Sequence, residues 1–217
     1  MKKLLIIGTG DYAQVAHYFI TTEKLYEVIG FSEEKAFIRK KEVFGLNIIP
    51  FEEIESFDKS IMVLVAIGPN KVNTVRERIY NEVKQKGFFC ITYISPQAVV
   101  SDVSAIGENS FIFPKCVVEP FASIGNNSVL WTGATVAHHS EIKDHCFLAP
   151  GVNVSGRTIV NNNCFIGINA TVRDNLVIAE KCIIGGGAVI KKNTEAGGVY
   201  SAAPTGLYNN DSFNTKV

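Results

Sequence analysis

The sequence predicts two units in one chain: a small α/β unit, followed by a parallel β-helix built from six-residue repeats. Residues 1 to about 94 alternate strand-like and helix-like segments, which is typical of a parallel sheet with crossover helices. From Ala98 to Asn193 the pattern changes to sixteen consecutive hexads without interruption. We therefore expect one unit at residues 1–94 and the other at residues 95–217.

Hydrophobic patterning places the elements of the first unit. Short apolar runs predict strands. The run at 61–68 is apolar throughout and rich in β-branched residues, which predicts a strand buried on both faces. Val72, Val75, Ile79 and Val83 recur at helical spacing and predict an amphipathic helix. The expected order is strand 4–8, helix 12–22, strand 28–32, strand 61–68, a helix through 72–83 and strand 88–94.

The hexads carry the prediction of a β-helix. The third residue of every hexad is Val, Ile or Leu, and the first is almost always Ala, Ser, Thr or Cys. Six residues supply one short strand and one turn, which cannot bury an apolar face alone. Coiling the chain stacks equivalent residues at the strand spacing of about 4.8 Å, so that each aliphatic residue is buried against the next circuit.

Composition narrows the class of protein. The chain has 217 residues, 21 basic and 21 acidic, so its net charge is zero. This balance gives no reason to expect nucleic acid or an anionic membrane as a partner. The apolar start is cut short at Gly8, and no stretch approaches the length of a membrane span. We expect a cytoplasmic protein.

The cysteines follow the repeat. Cys116, Cys146, Cys164 and Cys182 are separated by multiples of six, and the five cysteines include no CxxC pair. This spacing indicates small core residues of the coil, against the alternatives of disulfides, metal ligands or reactive thiols.

Several motifs resemble the NeuD/PglD-like sugar acetyltransferases, a branch of the hexapeptide-repeat acyltransferases, across essentially the whole chain. They are GTGDYA, GFSEE, AIGPN, SPQAVVS, TGATVAHHSEI, CFIGINATV, CIIGGGAVI and GVYSAAPTG. The resemblance implies a left-handed helix with three hexads per circuit and about five circuits. It also implies acetyl-CoA as co-substrate, a nucleotide-linked amino sugar as acceptor, and a homotrimer with sites between subunits.

The glycine-rich turn at Gly8–Ala13 predicts where the nucleotide binds. Its pattern G-x-G-x-x-A between a strand and a helix lets backbone N–H groups approach a diphosphate. A dinucleotide such as NAD needs a wider sheet than about 94 residues provide, so a nucleoside-diphosphate sugar fits better; a purely structural turn is the other alternative. By the resemblance, the substrate contacts are Gly10, Asp11, Tyr12, Glu33, Glu34 and Gly68. For Glu33 and Glu34 a solvated loop is the alternative.

His138 is the expected catalytic base. It occupies the fifth position of its hexad, where side chains point outward, and it matches the family's catalytic histidine. Adding eighteen residues places Gly156 in the neighbouring circuit, where its N–H could stabilise the oxyanion of the thioester. The family's acid after the histidine is replaced here by His139, and Glu119 or an acid from another subunit could substitute for it.

Acetyl-CoA is expected along the late circuits. Ile168 and Gly186 match family contact positions and are eighteen residues apart, and the Gly185–Gly187 run allows close contact with the pantetheine arm, unless it is simply a tight turn. A second family histidine near acetyl-CoA corresponds to Phe147. Gly156 completes the expected cofactor contacts, and no metal is expected.

The expected reaction is N-acetylation of a dTDP- or UDP-linked 4-amino-4,6-dideoxyhexose in the synthesis of bacterial surface glycans such as O-antigen. Three alternatives remain open from the sequence. They are O-acetylation of a sialic acid, a γ-carbonic-anhydrase-type metal hydratase using His138, His139 and His145, and a non-catalytic trimeric scaffold.

Overall fold

The first unit is built on a five-stranded sheet with β1 in its interior. The structure is a computed structural model that describes residues 1–204; the end of GVYSAAPTG at Thr205 and Gly206, and the chain to Val217, lie outside the described residues. The elements are β1 Lys3–Ile7, α1 Asp11–Thr22, β2 Glu27–Glu33, β3 Glu42–Val43, β4 Leu46–Pro50, β5 Met62–Val65 and α2 Thr74–Gln85, with short 3₁₀ helices at Lys35–Phe37 and Phe51–Ser56.

The sheet has the order β3-β4-β2-β1-β5 and is parallel except for the β3–β4 hairpin. It places the carboxyl ends of β1, β2 and β5 at one edge, where the glycine turn and the loops after β2 and β5 begin. In a parallel sheet of this kind, ligands bind at that edge.

The expected strand at 88–94 is divided between the two units. Cys90 makes only an isolated parallel bridge with Val63 at the outer side of β5. Strand β6, Tyr93–Ile94, instead pairs with β8, Phe111–Ile112, and so begins the coil. We therefore propose that the unit boundary lies between Cys90 and Tyr93, a few residues before the predicted position.

The second unit is a left-handed parallel β-helix, as the hexads and the resemblance predict. Its seventeen short strands form three sheets, one on each side of a triangular coil. Sheet I contains β6, β8, β11 Val129–Leu130, β14 Phe147–Leu148, β17 Phe165–Ile166, β20 Ile183–Ile184 and β22 Val199–Tyr200. Sheet II contains β7 Val99–Val100, β9 Val117–Val118, β12 Thr135–Val136, β15 Asn153–Val154, β18 Thr171–Val172 and β21 Val189–Ile190. Sheet III contains β10 Ser123–Ile124, β13 Glu141–Ile142, β16 Ile159–Val160 and β19 Val177–Ile178.

Each full circuit has the same length. Thr135 pairs with Asn153, and Phe147 with Phe165, so the register advances by eighteen residues. The final circuit is shorter, because Ile183 pairs with Val199. Equal circuits mean that residues eighteen positions apart lie directly above one another, which is the basis of the predicted site.

The interior follows the hexad positions. Third-position aliphatic residues such as Val136, Val154 and Val172 are fully buried or nearly so. Cys146, Cys164 and Cys182 are completely buried, and all five cysteines are free, which confirms their prediction as core residues.

Polar side chains fix the α/β unit against sheet I and the corner that precedes it. The buried Arg76 guanidinium donates to the carbonyls of His145 (3.2 Å) and Cys146 (3.0 Å). The Asn109 amide oxygen accepts from the Val65 N–H at 2.9 Å, at the end of β5. Burial lowers the pKa of Arg76 to about 10, which leaves the side chain charged at neutral pH. These ties hold the ligand edge of the sheet beside the coil.

Neither α-helix within residues 1–204 is long and apolar enough to cross a membrane.

Candidate active site

A cleft of about 840 Å³ lies at the ligand edge of the α/β unit, between that unit and sheet I of the coil. All six residues expected to bind substrate line it: Gly10, Asp11, Tyr12, Glu33, Glu34 and Gly68. The structure therefore brings together residues from three loops that are up to 58 positions apart.

The glycine turn leaves room for an anion. Gly8 has φ +113°, and a Cβ there would lie 2.7 Å from the Ala66 carbonyl oxygen, so this position requires glycine. Gly10 has an ordinary φ of −74°, and a Cβ there would meet nothing within 4 Å. Gly10 also precedes α1 without a side-chain cap, and in the described part of the chain no acceptor takes the first N–H groups of this helix, which borders the cleft at Asp11 and Tyr12. Backbone donors at a helix N-terminus suit a diphosphate.

The two glutamates have different surroundings. Glu33 accepts a hydrogen bond from the Thr9 hydroxyl at 3.0 Å, which ties the end of β2 to the glycine turn. Glu34 forms an ion pair with Arg78 of α2 at 2.9 Å. The hydrogen bond to Glu34, and then that to Glu82, raises the pKa of Arg78. The cleft therefore has one acid engaged by a hydroxyl and one neutralised by a guanidinium.

The coil supplies an aromatic wall. Trp131, which directly follows β11, and Phe147 of β14 line the cleft. The Tyr12 ring packs against both, with centroid distances of 5.6 and 6.3 Å. Phe147, expected beside acetyl-CoA, is only 7% exposed and lies in this wall on the face of the sheet. Its side chain therefore takes part in the cleft, because the second position of a sheet I hexad faces the α/β unit.

Sequence reasoning missed several residues of the cleft. Those with polar or aromatic side chains are Thr9, Phe37, Asn70, Lys71, Arg78 and Trp131. The loop after β5 carries an additional signal, because Lys71, Val72 and Asn73 all have positive φ, between 48° and 62°. Such backbone is unfavourable for a β-branched residue and is often found at functional sites. The hexad pattern predicts that Trp131 points outward, but not that the α/β unit covers it.

His138 lies at the corner between sheets II and III, directly beneath Gly156. A Cβ on Gly156 would lie 2.6 Å from Cε1 and 2.8 Å from Nε2 of the His138 ring, so only glycine allows the ring its position. The Arg157 N–H donates to the His138 carbonyl at 3.0 Å, which confirms the predicted stacking. Among the described residues, no acceptor takes the Gly156 N–H. The His138 imidazole therefore lies against a residue whose N–H has no acceptor within residues 1–204.

The side chain of Glu119 does not reach the His138 ring. Its carboxylate accepts from the His138 backbone N–H at 2.8 Å, from one circuit below. The ring instead contacts its neighbour in sequence, with 3.1 Å between Nδ1 of His138 and Nδ1 of His139. Glu119 therefore holds the backbone of the corner, and His139 contacts the His138 ring.

Ile168 and Gly186 lie at another corner, between sheets I and II. A Cβ on Gly186 would be 3.0 Å from Cγ2 of Ile168, and the Gly187 N–H donates to the Ile168 carbonyl at 2.8 Å. Ile168 is 55% exposed, which makes this corner an apolar surface open to solvent.

The predicted residues therefore lie at three places on one chain. The cleft faces sheet I, while His138 and Ile168 lie at opposite ends of sheet II. One side of the coil, about five residues at about 3.3 Å each, spans roughly 16 Å.

His145 lies at the third corner, buried beside Asn127, so it does not join His138 and His139. Within residues 1–204, no three His, Cys, Asp or Glu side chains are arranged to hold a metal ion.

Comparison with protein families matches both units. The family model of the PglD N-terminal domain matches residues 3–83, and that of the GMPPB C-terminal domain matches residues 90–199, about half of the chain. A search of curated protein sequences found no significant match.

Three solved structures share the fold over nearly their whole length. The acetyltransferase domain of PglB from Neisseria gonorrhoeae, in complex with acetyl coenzyme A, is 24% identical with a TM-score of 0.83, covering 93% of this chain and 96% of that chain. PerB from Caulobacter crescentus, in complex with CoA and GDP-perosamine, is 22% identical with a TM-score of 0.81, covering 94% and 96%. WeeI from Acinetobacter baumannii is 20% identical with a TM-score of 0.79, covering 92% and 96%. The chain thus belongs through its coil to the GMPPB C-terminal domain family, and its α/β unit matches the model of the PglD N-terminal domain.

Proposed function

We propose that this protein transfers an acetyl group from acetyl-CoA to the amino group of a nucleotide-linked 4-amino-4,6-dideoxyhexose. The observation that carries the proposal is the His138 ring held against Gly156, beside a backbone N–H without an acceptor among the described residues. Amide formation from a thioester needs this pair of functions, a base for the amine proton and a donor for the oxyanion.

In the proposed reaction the amine nitrogen attacks the thioester carbonyl carbon. The carbonyl oxygen becomes an oxyanion that accepts a hydrogen bond from the Gly156 N–H. Nε2 of His138 takes the proton that the nitrogen loses. The carbon–sulfur bond then breaks, the amide forms, and the proton on His138 goes to the CoA thiolate. The catalytic residues in this scheme are His138 and Gly156, and the pantetheine arm would lie along Ile168 and Gly186.

The nucleotide would bind in the cleft of the α/β unit. The glycine turn and the N-terminus of α1 would take the diphosphate at Gly10, Asp11 and Tyr12, and Gly68 would border it from the loop after β5. Glu33 and Glu34 lie further along the cleft, where base and ribose would be. The aromatic wall of Trp131 and Phe147 offers an apolar surface to the deoxy sugar.

The reaction requires more than one subunit in this account. His138 and the cleft lie on different sides of one coil, so a single chain does not bring base and acceptor together. We infer a homotrimer in which flat coil faces pack and each site combines the cleft of one subunit with His138 of another. Exposed apolar residues on sheets II and III, such as Val189 at 54% and Val177 at 39%, suit such packing. Light scattering tests the assembly.

We place the protein in the cytoplasm, where acetyl-CoA and nucleotide sugars are made, in a pathway for bacterial surface glycans such as O-antigen. PerB, a structural neighbour, binds CoA and GDP-perosamine, which supports a nucleotide-linked acceptor.

The test is release of CoA thiol from acetyl-CoA with a panel of acceptors. The panel contains dTDP-, UDP- and GDP-linked 4-amino-4,6-dideoxyhexoses, their 4-hydroxy counterparts and free sialic acid. We expect release only with the amino sugars, an N-acetylated product by mass spectrometry, and a loss of about 10²–10⁴-fold in kcat for His138→Asn. Release with sialic acid alone, or normal turnover by His138→Asn, would contradict the proposal.

A further inference from the structure

The immediate neighbour of the proposed base has an unusual contact. Nδ1 of His138 and Nδ1 of His139 are 3.1 Å apart, with the rings nearly perpendicular at 85°. Two imidazole nitrogens at this distance form a hydrogen bond only if one carries a proton and the other a lone pair. Among residues 1–204, no carboxylate reaches the ring of His138, because Glu119 is bonded to the His138 backbone.

We propose that His139 is the positioning residue of the site and that its Nδ1 accepts a hydrogen bond from Nδ1–H of His138. This inference rests on the proposed function of His138 as base. With the proton on Nδ1, the lone pair of His138 lies on Nε2, the ring nitrogen nearest Gly156. When Nε2 takes the amine proton, the Nδ1–H···Nδ1 bond becomes charge-assisted and stabilises the imidazolium.

The backbone and the circuit below hold His139 in place. His139 has φ +60°, and Phe121, eighteen residues earlier, has φ +64°. Positive φ is a regular feature of this coil, because every sixth hexad position from Asn109 to Gly187 has it, and most of these positions carry Asn or Gly. The Phe121 ring is 77% exposed and lies 4.7 Å from the His139 ring, centroid to centroid. The two rings therefore pack against each other at a solvent-facing corner, and this contact limits the rotation of His139.

A histidine in this role differs from a carboxylate, because an imidazole can also donate. A protonated His139 carries N–H on both nitrogens and can only donate. Nδ1 of His138 must then accept the hydrogen bond, so the proton of the neutral His138 ring moves to Nε2. One proton on either ring therefore removes the free base. The charged residues that stack at this corner on neighbouring circuits are Glu119 below and Arg157 above, with Asp174 one circuit further by the eighteen-residue register.

The first test measures the tautomer by NMR of protein labelled with ¹⁵N-histidine, without substrate. We expect His138 protonated on Nδ1 and bare on Nε2, and His139 with the opposite tautomer. In His139→Gly, a residue suited to φ +60°, His138 should shift towards the Nε2–H form that free imidazoles favour. In His139→Glu, whose carboxylate can only accept, the Nδ1–H form should persist. An unchanged His138 tautomer in His139→Gly would overturn the inference.

The second test is the pH profile of kcat/KM. His139→Gly should lose about 10–10²-fold in kcat with the KM for acetyl-CoA unchanged, while His139→Glu should retain activity and move the midpoint of the acid limb to higher pH. Equal pH profiles for the wild type and both variants would contradict the inference. The NMR result needs no turnover, so failure of the proposed acetylation and failure of this inference are distinguishable.

Discussion

Gly156→Ala should lower the activity of the proposed site while leaving the stability of the coil nearly unchanged. The new Cβ would lie 2.6 Å from Cε1 of His138, while ordinary contact begins near 3.4 Å, so the ring must withdraw by about 0.8 Å. A displacement of about 1 Å in a catalytic group costs on the order of 10²-fold in rate. We therefore expect kcat to fall about 10²-fold with acetyl-CoA binding nearly unchanged.

Stability should be almost unaffected by this change. Gly156 is not among the glycines with positive φ, and the atoms that the Cβ meets belong to the exposed His138 side chain, which can move. We expect the Tm to change by about 2 °C or less. The matched control is Gly107→Ala, where the Cβ would lie 2.6 Å from the Asn126 backbone N, which cannot move freely. That variant should lose about 4–8 °C in Tm and keep the kcat of its folded fraction.

A double-mutant cycle completes the assay, with initial rates of CoA thiol release and thermal melts for each variant. In a His138→Ala background, Gly156→Ala should cost little more, because the ring it displaces is gone. Normal kcat in Gly156→Ala, or a loss that simply adds to that of His138→Ala, would refute the reasoning.

Three further predictions concern other parts of the molecule. Burial lowers the pKa of His145, and the charge of Glu77 opposes this effect. The stability that neutral His145 contributes is therefore present above the unfolded pKa of about 6.5 and is lost as the pH falls through the native pKa. In His145→Asn, the drop in Tm between about pH 7.5 and about pH 5.5 should be smaller than in the wild type, and an equal drop would contradict this. The half-buried His17, whose pKa burial also lowers, should contribute to the drop that remains. Glu33→Ala removes the acceptor of the Thr9 hydroxyl, so the KM for nucleotide sugar should rise by about tenfold while that for acetyl-CoA stays the same; steady-state kinetics with each substrate varied separates the two. Gly186→Ala places a Cβ 3.0 Å from Ile168 and should raise the KM for acetyl-CoA alone by a few-fold; a change confined to the nucleotide sugar would be the wrong outcome.

The repeat is the part of the fold that the sequence predicts best. Because every circuit has the same length, simple addition places Gly156 against His138 and Gly186 against Ile168, and the structure has both contacts. The same rule fails where the chain leaves the repeat, as in the short last circuit ending at Val199.

The α/β unit is predictable in outline and less so in detail. Strands β3 and β4 are missed, because β3 has two residues and β4 ends in a proline, so neither shows a clear period. The sequence predicts the glycine turn and the acidic loop of the cleft. It does not predict Trp131, which depends on packing between the two units, or Arg78, which depends on α2 lying beside the loop after β2. The place of Phe147 in the cleft wall follows from the docking of the α/β unit on sheet I, and its contact with acetyl-CoA stays a prediction.

The most direct test is a crystal structure of His138→Asn with CoA and the preferred nucleotide amino sugar. We expect the nucleotide in the cleft at Gly10 and Glu33 of one subunit, with its amine beside position 138 of a neighbouring subunit and the CoA sulfur near Gly156. A nucleotide bound elsewhere, or an amine remote from every residue 138 in the assembly, would contradict it.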